Sequence, residues 1–134
     1  MKERFFTQFE QLQAADRFVI ISYLLNHTSY EIRRGKDEFI EASFDLIRFG
    51  VDREIFIIDG VFDAVHFLNA IEVSSRLQKY DWAHDLIAKW SDRLPTETKD
   101  YYISLGLALI HFKKKGLRCL LRYAGENRPQ RATG

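Results

Sequence analysis

The stretch from Phe62 to Pro95, FDAVHFLNAIEVSSRLQKYDWAHDLIAKWSDRLP, decides the fold class. Its apolar residues recur every three or four positions in two separate runs, a spacing typical of helices that bury one face. The first run predicts a helix over about 62–78, and the second predicts a helix over about 81–93. Pro95 marks the end of the second helix, because the residue before a proline is pushed out of helical geometry. The stretch therefore predicts two antiparallel helices joined by a tight turn.

The residues before this stretch predict another helix pair. An unbroken helical period predicts a long helix over 14–34 with Gly35 as its natural stop, and a second helix follows over 37–49 and ends at Gly50. Residues 51–61 are rich in β-branched and aromatic side chains, so a short extended piece is one interpretation. A packed linker is the favoured interpretation, because no partner strand is evident elsewhere in the sequence.

The residues after the stretch predict a third helix pair over 97–124. Its first helix runs to about Lys115, Gly116 is predicted to close it, and a shorter helix follows over 117–124. The chain is therefore expected to be all-α. Its predicted organisation is a single helical-repeat domain over 1–125, either complete or one end of a longer array.

Positive charge is concentrated at the end of the chain. Seven of the 20 Lys and Arg residues lie in 113–134, together with one of the 19 Asp and Glu residues, and 126–134 are expected to form a flexible basic tail. A contact with nucleic acid or another anionic partner is one interpretation of this charge. The favoured interpretation is a helix C-terminus followed by a solvated tail, because aromatic residues are not interleaved with the charges as in a base-stacking surface.

The composition excludes several classes of protein. With 134 residues, of which 46% are hydrophobic, the chain is long enough to bury one core. A single cysteine, Cys119, excludes an internal disulfide framework and a multi-cysteine metal site. No apolar run approaches the roughly 20 residues of a membrane helix, and no signal peptide is visible, so we expect a cytoplasmic protein that does not contact membranes.

The spacing of the helix pairs resembles that of tetratricopeptide repeats, whose units are about 34 residues long. In the middle unit Phe67 occupies a large aromatic position, Ala70 and Ala83 occupy small positions where helices approach closely, and Tyr80 closes the turn. The chain thus resembles a degenerate tetratricopeptide-type helical-repeat protein. The resemblance implies antiparallel helix hairpins stacked as a right-handed α-α superhelix. Leu120 departs from the pattern, because it stands where a small residue is usual.

The chain is also similar to a family of uncharacterised Bacteroidetes proteins. The shared features are a helix that ends with Asn26, Ile32 and Gly35, the turn Tyr80-Asp81-Trp82, and the end Arg93-Leu94-Pro95. The function of that family is unknown, so this similarity implies a fold and no chemistry.

The resemblance to tetratricopeptide repeats implies a concave surface that is lined by the first helix of each pair. The partner-binding residues that it predicts here are Asn69, Glu72, Arg76, Tyr102 and Lys113. We therefore expect a non-enzymatic protein–protein interaction scaffold with a protein or peptide partner. The alternative is a helical regulatory module that binds nucleic acid or an acidic partner through the basic C-terminal segment, with nucleic acid the less favoured partner. An uncapped array end also predicts self-association through residues 101–124.

The sequence offers little chemistry. The four histidines lack the spacing of metal ligands, and we expect no metal or other cofactor. Asp63 with His66, and His27 with Glu31, have the spacing of an acid–base pair or of an ordinary surface contact on one helix face. The surface contact is favoured, because no nucleophile–base–orienter arrangement can be assembled from the sequence, and no enzyme is expected. An enzyme would need a pocket that brings His66 or His111 beside a carboxylate from another helix.

Overall fold

The computed structural model of the protein describes residues 13–133, with side chains for 13–116 and Arg122. Within these residues the chain forms five α-helices and one pair of short strands, which confirms the predicted all-α character. The elements are α1 (Ala14–Arg33), α2 (Glu38–Asp52), β1 (Ile57–Ile58), β2 (Val61–Phe62), α3 (Ala64–Arg76), α4 (Tyr80–Trp90), a 3-10 turn (Ser91–Arg93) and α5 (Lys99–Thr133). Helix α1 packs against α2, while α3 packs against α2, α4 and α5, and one hydrophobic core joins them all.

The turn between α1 and α2 is closed by Gly35, as the sequence predicts. Gly35 has φ of +91°, a left-handed conformation that glycine adopts without steric cost. Its N–H donates to the carbonyl of Ile32 at 2.9 Å, and the N–H of Lys36 donates to the carbonyl of Glu31 at 3.1 Å. These two bonds satisfy carbonyls that the end of α1 would otherwise leave unpaired. The chain therefore reverses sharply, and α2 lies back against α1.

An ion pair stabilises the same turn. Only 9% of the Glu31 side chain is exposed. Its Oε2 lies 2.8 Å from Nζ of Lys36, and its Oε1 lies 3.4 Å from Nη1 of Arg34. The hydrogen bond from Lys36 holds the pKa of Glu31 below its ordinary value of 4.5. Glu31 thus pairs mainly with Lys36, whereas the predicted partner His27 packs edge-on against Phe39.

This pair predicts a pH dependence of stability. Because the pKa of Glu31 is lower in the folded chain, its contribution is complete above the ordinary carboxyl pKa and is lost as the pH falls through the lowered value. We expect the urea midpoint of the wild type to fall more between pH 6 and pH 3 than that of Glu31→Gln. Glu41→Gln, on an exposed position of α2, is the control and should follow the wild type. Equal falls for all three proteins would contradict the assignment.

Residues 51–61 contain the extended piece that the sequence analysis did not favour, so the prediction of a packed linker is wrong. Strands β1 and β2 pair antiparallel, with Ile57 opposite Phe62 and Ile58 opposite Val61. The turn between them is Asp59-Gly60, with φ of 53° and 81°. Two successive residues with positive φ form the tight hairpin turn that Asp-Gly favours. The partner strand is separated from β1 by only two residues, with Val61 in the predicted linker and Phe62 at the predicted start of the next helix.

Helices α3 and α4 form the predicted middle hairpin, although α3 begins later than predicted. The Asp63 side chain caps α3 by accepting the backbone N–H of His66 at 3.1 Å, so the helix starts at Ala64. Ala70 and Ala83, which the repeat resemblance places at small-residue positions, are both completely buried. The hairpin is followed by Pro95, where the sequence places its end.

Helix α5 differs most from the sequence-based prediction. It runs without interruption from Lys99 to Thr133, so the predicted end at Gly116, the separate helix over 117–124 and the third helix pair are wrong. Gly116 keeps helical geometry and does not take positive φ. A glycine inside a helix costs only about 1 kcal/mol, and strong helix formers lie on both sides of this one. The flexibility expected of residues 126–134 stays a prediction.

A second glycine lets α5 lie close to α3 and α4. A Cβ atom at Gly106 would stand 2.7 Å from Cδ1 of Ile71 on α3 and 3.5 Å from Cδ1 of Ile87 on α4. Both isoleucines belong to the buried core. Gly106 therefore marks the line along which α5 covers the α3–α4 hairpin.

The β-hairpin carries aromatic rings into the centre of the core. The Phe56 and Phe62 rings lie 6.1 Å apart, and Phe62 also packs against Phe67 and Trp90 at 5.8 and 5.9 Å. A Cβ atom at Gly50 of α2 would stand 2.5 Å from Cε2 of Phe56. The hairpin thus fills the space between the helix pairs and fixes the start of α3, on which the candidate site depends.

Candidate functional site

An open groove runs between α1, α3 and α5 and encloses a cavity of about 750 Å³. Its polar and charged lining comes mostly from α1 and α3, whereas α5 adds one aromatic and one aliphatic side chain. The lining residues are Ser22, Leu25, Asn26, Ser29 and Arg33 on α1, Val65, His66, Leu68, Asn69 and Glu72 on α3, and Tyr102 and Leu109 on α5. Each of the three helices is the first helix of a predicted repeat unit.

The structure brings three of the five predicted partner-binding residues into this groove. Asn69, Glu72 and Tyr102 line it, and all three are half-buried. Arg76 and Lys113 do not line it. Arg76 lies one turn beyond Glu72, in the last turn of α3, and its side chain is exposed. These two basic residues therefore stand past the end of the groove and not within it.

The α1 side of the groove was missed in the sequence analysis. Ser22, Asn26, Ser29 and Arg33 are spaced by four, three and four positions, so they form one polar stripe along α1. That spacing was visible in the sequence. It was passed over because the same helix carries a stronger apolar stripe, which includes the buried residues Ile21 and Leu25.

The groove holds one charge of each sign. Arg33 and Glu72 line it. Neither side chain forms an ion pair or a hydrogen bond with another residue of the described part of the chain. The amide groups of Asn26 and Asn69 also lack side-chain partners there. A side-chain amide offers both donors and an acceptor. The groove therefore presents hydrogen-bonding capacity and two charges that a ligand can use.

A row of three hydrogen-bonded side chains, which we call the Ser22–His66–Asp63 row, links α1 to the start of α3. Oγ of Ser22 lies 3.1 Å from Nε2 of His66, and Nδ1 of His66 lies 2.5 Å from Oδ2 of Asp63. The expected contact between Asp63 and His66 is thus present. It is partly buried, with 14% of the His66 side chain and 35% of the Asp63 side chain exposed.

Aromatic packing holds the His66 ring in place. The ring stacks on Phe56 with centroids 4.6 Å apart and an interplanar angle of 21°. Phe18 of α1 meets the same ring edge-on at 5.1 Å. No local pattern pointed to Ser22 as a partner, because it lies 44 positions before His66. The carboxylate belongs to Asp63, which caps the same helix that carries His66. The enzyme hypothesis called for a carboxylate from another helix.

Comparison of the chain with protein-family models, with curated proteins and with solved structures finds no match. Among the described residues, no group of three or more His, Cys, Asp and Glu side chains is arranged to hold a metal ion. In the same part of the chain, none of the helices combines the length and the apolar character needed to span a membrane.

Proposed function

We propose that the protein is a protein–protein interaction scaffold of the tetratricopeptide-like type, and that the groove between α1, α3 and α5 binds an extended peptide. In this proposal α1–α2 and α3–α4 are two stacked hairpins of a right-handed superhelix, and α5 is the first helix of a third layer. The observation that carries the proposal is the groove lining, which comes from the three first helices alone.

The chemistry of the groove suits a peptide backbone with mixed side chains. Asn26 and Asn69 offer amides that can pair with backbone N–H and C=O groups. Arg33 attracts a carboxylate and Glu72 attracts a basic side chain, and neither has to give up a partner within the described residues. Tyr102 adds a large aromatic surface of the kind that often dominates binding energy. The partner we propose is therefore an extended segment that carries both an acidic and a basic residue.

Selection from a displayed library of random peptides, followed by affinity measurement on the purified chain, tests this proposal. Tyr102→Ala is expected to weaken the best selected peptide by about tenfold or more, because aromatic anchors commonly contribute over 1 kcal/mol. Asn69→Ala is expected to weaken it about 2- to 10-fold, since one hydrogen bond contributes roughly 0.5–1.5 kcal/mol.

An exposed aromatic residue of the same helix provides a matched control. Because the Tyr101 ring packs edge-on against Tyr102 at 5.2 Å, the control is Phe112 and not the neighbouring tyrosine. Phe112 is exposed on α5 and does not line the groove, so Phe112→Ala should leave the affinity unchanged. Circular dichroism on each variant excludes loss of fold as the cause. Equal weakening by Phe112→Ala and Tyr102→Ala, or no weakening by either, would place the binding surface elsewhere.

A second candidate function uses the basic segment, and one observation favours it. Residues 113–133 continue α5 as one helix, so the seven Lys and Arg residues of the basic segment belong to a single continuous helix. Binding of nucleic acid through this segment would weaken steeply with salt, because each neutralised phosphate releases counterions. Binding that does not change between 50 and 200 mM salt, or no binding at all, would remove this candidate.

Self-association through residues 101–124 remains a prediction. Tyr101 and Phe112 are both more than 60% exposed on α5, which leaves apolar surface there for a second copy of the chain.

A further inference from the structure

The Ser22–His66–Asp63 row stands in the wall of the groove and has no part in the proposed peptide contacts. Ser22 and His66 both line the cavity, and Ser22 is half-buried, so a ligand in the groove can reach its hydroxyl. The sequence alone indicates no arrangement of a nucleophile, a base and an orienting group. The fold brings those three kinds of side chain together.

The chemistry of the three side chains determines which atom is the donor in each hydrogen bond of the row. An ionised carboxylate only accepts, so the Nδ1–H of His66 donates to Oδ2 of Asp63 across 2.5 Å. In the neutral imidazole Nε2 then carries the lone pair, and the hydroxyl of Ser22 donates to it across 3.1 Å. A serine hydroxyl that donates to an imidazole is the arrangement that activates serine as a nucleophile.

The base and its orienting group are held rigidly. Stacking on Phe56 and the edge contact with Phe18 fix the plane of the His66 ring. Asp63 is held as the cap of α3, because the same Oδ2 accepts the backbone N–H of His66. Two solvated side chains on a helix surface would lack these constraints. Rigid placement favours catalysis, because the groups need no rearrangement when the substrate reacts.

We propose that Ser22 is an acyl-accepting nucleophile that hydrolyses carboxylic esters, with His66 as its general base and Asp63 as the residue that positions His66. Apolar side chains of the groove, among them Val65 and Leu68, provide a surface for an apolar acyl group. The amides of Asn26 and Asn69 line the same cavity and are the donors available to a developing oxyanion.

Each step of this reaction is balanced. Oγ of Ser22 forms a bond to the ester carbonyl carbon while its proton passes to Nε2 of His66. The bond from that carbon to the alkoxy oxygen breaks, and His66 gives the proton to the departing alcohol. A water molecule, deprotonated by His66, then attacks the acyl carbon, and the bond to Ser22 breaks as its oxygen regains the proton. The products are a carboxylic acid and an alcohol.

An alkyl fluorophosphonate probe tests the nucleophile directly. Oγ of Ser22 bonds to phosphorus as the P–F bond breaks and fluoride leaves, so mass spectrometry of the digested protein should find the adduct on Ser22. Ser29 provides the matched control, because it lies on the same helix and lines the same groove without bonding a histidine. We expect no adduct on Ser29, and Ser29→Ala should label as fast as the wild type.

Variants of the other two residues separate a chemical role from a structural one. Asp63→Asn keeps a good helix cap but can present an N–H to the imidazole, so it should slow labelling on the order of 100-fold while the helix content is unchanged. His66→Gln should slow it by a similar factor.

Turnover provides the second measurement. The wild type should release 4-nitrophenolate from 4-nitrophenyl butyrate faster than Ser22→Ala does. The proposal is overturned if Ser22 is not labelled, if Ser29 is labelled equally, if folded Asp63→Asn labels at the wild-type rate, or if Ser22→Ala turns over the ester equally well. The row would then serve only to join α1 to α3. Peptide binding is tested separately, because Ser22→Ala leaves Asn69 and Tyr102 in place.

Discussion

Replacing Phe56 by alanine should lower the free energy of unfolding by about 3–5 kcal/mol, the usual cost of removing a large aromatic side chain from a core. Phe56 is fully buried in the turn segment before β1. Its ring stacks on His66, packs against Phe62 and covers Gly50 of α2. Its loss would leave a cavity where α2, α3 and the β-hairpin meet. Closing that cavity would require these elements to shift.

Urea unfolding followed by circular dichroism measures this effect. Ile58→Ala is the control, because Ile58 lies in the same hairpin and is about 40% exposed, so its truncation should cost less than about 1 kcal/mol. A loss below 1 kcal/mol for Phe56→Ala would mean that the β-hairpin does not fill the core.

Replacing Gly106 by leucine is the second change with a large expected effect, a loss of about 3 kcal/mol at the upper end of the range for overpacked cores. Even a single added carbon would stand 2.7 Å from Cδ1 of Ile71. Ile71 is completely buried, so a leucine can be accommodated only if the Ile71 side chain or α5 itself moves.

The exposed residue Ala108, two positions further along α5, gives the matched control. Ala108→Leu adds a large side chain to the solvent side of the same helix and should change stability by no more than about 0.5 kcal/mol. Adding Ile71→Ala to Gly106→Leu should recover part of the loss, because it removes the atom nearest to the new side chain. Strict additivity of the two substitutions would show that α5 does not rest on Ile71.

The sequence was most informative where local signals and packing agreed. Pro95 and the apolar spacing predicted the α3–α4 hairpin, and the small residues Ala70 and Ala83 are completely buried in it. Gly35 stops α1 because the chain there takes a positive φ and closes two hydrogen bonds. Gly116 is the same residue type but remains within α5. A glycine permits a helix to end without requiring it, so composition alone could not separate these two cases.

The short strands were missed because the partner strand is separated from β1 by only two residues. Val61 and Phe62 follow directly after Asp59-Gly60, with Val61 in the predicted linker and Phe62 at the start of the next predicted helix. The Asp-Gly turn between two β-branched runs was the available signal.

Only part of the candidate site could be predicted. Asn69, Glu72 and Tyr102 follow from the repeat resemblance, which identifies the first helix of each pair. The approach of Ser22 to His66 depends on how α1 lies against α3, and no local pattern encodes a distance between residues so far apart in the chain. Arg76 lies outside the groove. Where the groove ends depends on helix packing, which the sequence likewise does not show.

The central claim is that the faces of α1, α3 and α5 form one binding groove. Photo-crosslinking tests it most directly, with a benzophenone group placed on the best selected peptide and the attached residues mapped by mass spectrometry. The account predicts attachment to groove residues on all three helices, such as Asn26, Asn69 and Tyr102. Attachment confined to the outer faces of α2 and α4, or to residues 113–133, would contradict it.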